Sequence, residues 1–193
     1  MSQAREQLVE AATRVFGQEG FNASGIDRVL REAGVARQTL YHHFRSKDDL
    51  IVAALRRGDE RFRTSLARSV ERITDDPCAR LLALFDVLQE WFRSDDFKGC
   101  IFSGACAEFA EADHPAHAVA CEHKRLVRGY VRELVDAAAA ARDVEVDADS
   151  VTDALRLLMD GATAQATVSC SCQPASVARR LAGTVLDSVG LRP

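Results

Sequence analysis

The 193-residue chain has only four prolines, Pro77, Pro115, Pro174 and Pro193, and they fall between periodic segments rather than inside them. Sustained apolar–polar alternation, the mark of half-buried strands, is missing throughout. No apolar run is long enough to span a bilayer. The start of the chain (SQAREQ after Met1) is polar and charged and carries no signal-peptide core. A cytoplasmic protein with no membrane partner is therefore expected. Internal repeats and low-complexity segments are absent, and the alanine run 137–141 is helix-forming composition and little more. There is no C-x-x-C pair, no nucleophile elbow and no phosphate-binding loop. What these absences leave is an all-α chain of about nine helices.

What is present suits a soluble globular protein: 47% hydrophobic and 28% charged residues, ample for a buried core. The stretch Ser24 to Leu50 (SGIDRVLREAGVARQTLYHHFRSKDDL) organises the rest. Ser24 and Asp27 form the S-x-x-D pattern of a capping box, ahead of Ile26, Val29, Leu30 and Ala33 at helical spacing. Gly34 supplies the backbone freedom to end that helix and turn. A second short helix runs from Arg37 to Phe44, with Leu40 and Phe44 facing inward and polar or aromatic side chains elsewhere. Ser46 and Asp49 open the next helix with another capping box. Two short helices joined at a glycine, the second polar outside, are the pattern of a helix-turn-helix. The bland alternative is an ordinary helical hairpin with a solvated face.

Charge supports the first reading. From Arg28 to Lys47 there are five basic residues and one acidic; from Asp48 onward there are 18 basic and 24 acidic. The formal net charge of −4 thus hides a basic patch on an acidic body. Phosphate binding depends on local potential, so the acidic balance excludes no DNA partner.

The remaining helices follow in order. The first spans about Ser2 to Gln18, with Leu8, Ala11, Ala12, Val15 and Phe16 inward. A long fourth helix begins at Ser46 and carries Leu50, Ala54, Leu55, Phe62, Leu66 and Val70 on one face. Gly58 costs about 1 kcal/mol there relative to alanine and marks a place for a kink. The fifth, about Pro77 to Ser94, has a wide apolar face including Leu84, Leu88, Trp91 and Phe92. A weak sixth helix lies in CIFSGACAEFAEA. The seventh, Ala116 to about Arg142, is read with Val119, Leu126, Tyr130 and Leu134 inward. The last two run from about Ser150 to Val168 and from about Pro174 to Val189.

The run GVARQTLYHHFRSKDDL, with the preceding FNASGIDRVLREA, closely resembles the DNA-binding signature of the TetR (tetracycline-repressor) family of regulators. The stretch Phe97-Lys98-Gly99-Cys100-Ile101-Phe102, followed by Ala107-Glu108-Phe109, is similar to a ligand-domain pattern in part of that family. The resemblance implies a helix-turn-helix DNA-binding domain over 1–47 and a helical effector-binding and dimerisation domain over 48–193. It implies a transcriptional regulator, a repressor released from its operator by an unknown small-molecule effector, and a homodimer on palindromic double-stranded DNA. The expected DNA contacts are Ser24, Arg37, Gln38, Thr39, Tyr41, His42 and Lys47. Arg37 and Gln38 are placed for base edges and the others mainly for phosphates. Ala36, where many relatives have Ser or Thr, leaves the reading helix uncapped. The effector is expected against Phe62, Leu88, Trp91, Phe102, Cys106, Phe109 and Met159, although the same residues also read as plain core. Leu155, Leu158, Ala162, Ala166, Val177, Leu181 and Val185 are expected at the dimer interface.

Six cysteines are many for a cytoplasmic chain of this size, and structural disulfides are not expected. His117 and Cys121 share a helix face at i, i+4, and Cys106 lies nearby in the resemblance. No strong metal-ligand spacing joins them, so no metal and no cofactor is assigned. Buried, inert cysteines are the favoured reading. Sensing of oxidants, electrophiles or a soft metal is the alternative, and a cysteine hydrolase using Cys106 or Cys121 with a histidine is the distant one. An enzyme is not expected.

Overall fold

The computed structural model describes residues 2–193. Among them there are nine helices and no strand: α1 (Gln3–Glu19), α2 (Ile26–Ala33), α3 (Arg37–His43), α4 (Lys47–Ile73), α5 (Pro77–Arg93), α6 (Ile101–Glu108), α7 (Pro115–Arg142), α8 (Ala148–Ser169) and α9 (Gln173–Ser188). No helix is long and apolar enough to cross a membrane. The prolines punctuate as their chemistry requires: Pro77 and Pro174 sit in the first turns of α5 and α9, where a missing N–H costs nothing. Gly58 does not break α4, which runs 27 residues without interruption.

The chain divides into two compact units that do not follow chain order. The first comprises residues 1–62 and 100–124, the second 63–99 and 125–193. The core of the first joins Leu8, Val15 and Phe16 of α1 with Phe21, Val29, Leu30, Leu40, Phe44, Leu50 and Leu55. Phe102 and Ala105 of α6, and Ala116 and Ala120 of α7, belong to the same core. In the second unit α5, α8 and α9 pack on one another. Leu81, Leu84, Phe85, Leu155, Ala178, Ala182 and Leu186 are buried there.

Two expectations about helix faces change. On α7 Leu134 is buried as expected, together with Ala116, Ala120, His123, Val127, Val131, Val135 and Ala138, while Val119, Leu126 and Tyr130 are only half-buried. Small alanines and a histidine carry little hydrophobic signal, so three of the four expected positions fall beside the buried face rather than on it. At α2, Gly25 rather than Ser24 is the N-cap, and no side chain caps the helix. Ser24 is buried instead, and its hydroxyl has no hydrogen-bond partner. The second capping box forms as expected in part: Asp49 N–H donates to Ser46 Oγ at 3.1 Å, while the Asp49 carboxylate accepts from Arg45 N–H at 3.2 Å.

Candidate nucleic-acid interface and associated sites

The turn between α2 and α3 is set by Gly34, whose φ of 66° and ψ of 31° are left-handed. That conformation costs a residue with a Cβ about 1–2 kcal/mol, which glycine avoids. Its N–H donates to Leu30 O, and Val35 N–H donates to the same carbonyl at 3.3 Å. The chain then enters α3 through Ala36, an N-cap without a side-chain acceptor. Leu40 is the only fully buried residue of α3. Arg37, Gln38, Tyr41 and His42 are exposed, and Thr39 and His43 are half-buried. Tyr41, at 50% exposure, is among the most exposed large hydrophobic residues of the protein. His43 Nε2 lies 3.0 Å from Ser2 Oγ and its ring meets His42 edge-on, so His43 serves the packing of α3 and His42 its open face.

The basic surround is less bare than its residue count implies. Arg28 pairs with Glu19 at 2.9 Å and with Glu32 at 3.0 Å. Arg45 pairs with Asp49 at 3.1 Å, and Arg37 with Asp27. The fold brings Glu19, Asp27 and Asp49, from outside the counted window, onto three of its five cations. These pairs are exposed, and exposed pairs contribute little, so a phosphate or a base edge can replace the carboxylate. Hydrogen bonding to Asp27 raises the Arg37 pKa above its ordinary value.

Lys47 has a second task. Its ammonium donates to the Phe21 carbonyl at 2.6 Å. The N–H groups of Phe21 and Asn22 donate to the two oxygens of Glu108, at 3.0 and 2.6 Å. The α1–α2 connection is therefore gripped from both sides by opposite charges, with the Phe21 ring buried against Phe16 and Phe109, each 5.5 Å away by ring centroid. Gly20 makes the grip possible. Its φ is 84°, and a Cβ there would lie 3.1 Å from a Glu108 oxygen. Removing the carboxylate in Glu108→Ala leaves two amides without their acceptor and is expected to cost about 1–2 kcal/mol. For a chain this size that lowers Tm by roughly 2–8 °C in a thermal melt. An unchanged Tm would show that the grip is incidental.

The residues expected around an effector fall into both units. Leu88 and Met159 are buried and Trp91 half-buried in the second, where Trp91, Phe92 and Phe97 form an aromatic group with centroids 4.8 to 5.6 Å apart. Phe62, Phe102, Cys106 and Phe109 belong to the first. There Phe102 stacks on His123 at 3.6 Å and Phe62 meets the same ring edge-on at 5.4 Å. His123 Nδ1 lies 2.8 Å from Asp59 Oδ1, and both residues are buried. Neither stood out in the sequence. The available signal was a titratable residue on each apolar face, Asp59 four residues after Leu55 and His123 three after Ala120.

The cysteines correct a favoured reading. None of the six is in a disulfide, and only Cys78 is buried. Cys100, Cys106 and Cys172 are half-buried, and Cys121 and Cys170 are exposed. Cys106, His117 and Cys121 come together, with one donor atom from each lying within 4.8 Å of the others. Burial pushes the Cys106 thiol above its ordinary pKa.

The expected dimer residues separate likewise. Leu155 and Ala166 are fully buried within the protomer, Ala162 is 6% exposed, Leu158 and Val185 are half-buried, and Val177 and Leu181 are exposed. The outward stripe of α8 is instead Leu157, Gly161, Gln165 and Val168, with Leu157 74% and Val168 82% exposed. Of six exposed large hydrophobic side chains among the described residues, four (Leu157, Val168, Val177 and Leu181) lie on α8 and α9. A groove of about 440 Å³ runs between Leu157, Gly161 and Gln165 on one side and Pro174, Val177 and Leu181 on the other.

Comparison with known proteins fits this geometry. Residues 8–54 match the family of bacterial regulatory proteins called tetR, and residues 77–182 match the tetracyclin repressor-like C-terminal domain. The structure of SCO4454, a TetR-family transcriptional regulator from Streptomyces coelicolor, superposes with a TM-score of 0.85 at 32% identity, over 96% of this chain and 95% of that one. The HTH-type transcriptional activator FasR of Mycolicibacterium smegmatis is 36% identical over 91 residues, 47% of this chain and 41% of FasR. The HTH-type transcriptional regulator LmrA of Bacillus subtilis is 29% identical over 114 residues, 58% of this chain and 60% of LmrA. The chain thus spans about half the length of these two relatives. With the second match alone covering more than half of the sequence, and a helix-turn-helix whose open face carries Arg37, Gln38, Tyr41 and His42, the chain belongs to the TetR family of bacterial helix-turn-helix transcriptional regulators.

Proposed function

We propose that the protein is a sequence-specific DNA-binding regulator that acts as a homodimer on a palindromic operator, a repressor that a small-molecule effector releases. The observation that carries this reading is α3: a short helix with one fully buried residue and a continuous open face of hydrogen-bonding side chains. Such a helix fits the major groove. Arg37 can grip a guanine through O6 and N7, and Gln38 an adenine through N6 and N7. Thr39, Tyr41 and His42 take phosphates and neighbouring edges. Lys47 keeps two N–H donors beyond the one held by Phe21, enough to reach a phosphate at the start of α4. Ser24 is dropped from the set, because its buried hydroxyl cannot meet DNA without a rearrangement.

The dimer forms through the outward stripe of α8 and α9, Leu157 and Val168 joining Leu158, Val177, Leu181 and Val185. Contiguous exposed apolar surface of this kind calls for a partner, and a second copy brings an identical stripe. Effector binding favours a spacing of the two reading helices that no longer matches successive grooves. Phe62 and Phe102, gathered on the Asp59–His123 pair, are the aromatic wall with polar handles that a small effector uses in the first unit. No catalytic role is assigned. A cysteine nucleophile needs a depressed thiol pKa, and burial moves Cys106 the other way.

Selection of bound sequences from a random DNA pool tests the reading. The expected winner is an inverted repeat whose half-sites are separated by about one helical turn, roughly 10 base pairs. A protein that enriches no sequence overturns the proposal.

A further inference from the structure

We infer that Cys106, His117 and Cys121 form a binding site for a soft metal ion, Zn(II) in the first instance, between α7 and α6, the helix whose Glu108 grips the α1–α2 connection. The three donors lie within 4.8 Å of one another. Tetrahedral Zn(II) with two sulfurs and one nitrogen sets its donors about 3.5–3.8 Å apart, so closing round an ion asks for side-chain shifts of about 1 Å. The i, i+4 spacing pairs His117 with Cys121 on α7, and the fold adds Cys106 from α6.

The histidine is prepared for the role. Its Nδ1 lies 2.8 Å from the Phe109 carbonyl. A carbonyl only accepts, so Nδ1 carries the proton and Nε2 carries the lone pair. Fixing the tautomer through a backbone carbonyl is how proteins orient metal-binding imidazoles. Two thiols and an imidazole select Zn(II) or another thiophilic ion over Mg(II) or Ca(II), which take oxygen donors. Cys121 is exposed and the other two residues half-buried, which gives an ion a way in and leaves a fourth position for water.

Position gives the site a consequence. Two residues beyond Cys106, Glu108 holds the amides of Phe21 and Asn22, and the next carbonyl, that of Phe109, orients His117. An ion that draws Cys106 toward α7 pulls on the helix end that carries Glu108. The site so becomes an effector site that weakens DNA binding. This last step rests on the DNA-binding reading above; the metal site itself does not.

Co(II) added to the full-length reduced protein tests the site without DNA. One equivalent should bind with thiolate-to-metal charge-transfer absorption and the d–d bands of tetrahedral cobalt, and Zn(II) should displace it. Cys106→Ser and Cys121→Ser should each weaken binding by at least about 100-fold and lose charge-transfer intensity, with His117→Gln weakening it similarly. Cys121 is exposed, so its variant is expected to fold, and a wild-type melt in the absence of metal checks each protein. A Cys170→Ser/Cys172→Ser variant should bind as wild type. Absence of a one-equivalent thiolate site, persistence of the bands in Cys106→Ser and Cys121→Ser, or their loss in the Cys170/Cys172 variant overturns the site. With the site established, Zn(II) should lower affinity for the selected DNA at least tenfold in wild type and leave Cys121→Ser unaffected. Equal affinity with and without Zn(II) would refute the regulatory step while leaving the site in place. Failure to bind any DNA, with the cobalt spectrum intact, would count against the DNA-binding reading alone.

Discussion

Tyr41→Ala is expected to abolish specific DNA binding while leaving the fold intact. The side chain is half exposed and lies outside the core that unites α1 to α4 with α6 and α7, so its loss opens no cavity. Its contribution lies at the interface: a ring broad enough to pack on a thymine methyl and a hydroxyl able to donate to a phosphate. One such contact is worth about 1–3 kcal/mol, and a symmetric dimer makes it twice. The expected loss is therefore on the order of a hundredfold or more in a mobility-shift titration, with a circular dichroism melt unchanged. Tyr41→Phe keeps the ring and loses the hydroxyl, so its smaller defect separates the two parts. Wild-type affinity in Tyr41→Ala would remove α3 from the interface.

A second large effect is expected at the opposite kind of surface. The double variant Leu157→Glu/Leu181→Glu should sediment as a monomer. Both side chains are at least half exposed in the protomer, at 74% and 51%, so the substitutions disturb no core. In a two-fold symmetric contact the same stripe faces itself, and the variant would set four carboxylates into an apolar interface. Unpaired buried charge costs several kcal/mol, more than this contact can absorb. Operator affinity should fall with dimerisation, by roughly 10²–10⁴-fold, because the second head no longer benefits from the first being bound. A double variant that remains dimeric would move the interface elsewhere.

Much of the architecture was legible in the sequence because helices announce themselves locally. Apolar spacing at three and four residues, Gly34 at the turn, Ser46 as a cap and prolines at helix starts all act within a few residues. The reading helix was legible for the same reason: its exposed residues are exposed because Leu40 and Phe44 are not. What escaped depended on partners distant along the chain. Ser24 looked like a cap, but a helix beginning at Ile26 passes that duty to Gly25. Lys47 read as a phosphate ligand alone, and its hold on the Phe21 carbonyl, 26 residues back, was not visible. Charge counted in a window missed the carboxylates that the fold brings onto Arg28, Arg37 and Arg45. The α8 stripe was offset because apolar residues on a helix with two covered faces do not tell which face meets its own chain. Leu155 faces inward and Leu157, two positions on, faces out.

The grip on Phe21 also bears on how the protein is made. The first unit is assembled from residues 1–62 and 100–124, so its two pieces are separated by a stretch that belongs to the second. Glu108 closes the α1–α2 connection across 87 residues of chain. During synthesis the three N-terminal helices leave the ribosome well before the carboxylate that completes them, and contacts this far apart are slow to form. The helix-turn-helix is thus translated before the carboxylate that completes its unit. Until α6 follows, the Phe21 and Asn22 amides lack the carboxylate that holds them, so the α1–α2 connection is completed only after the helices on either side of it have been made.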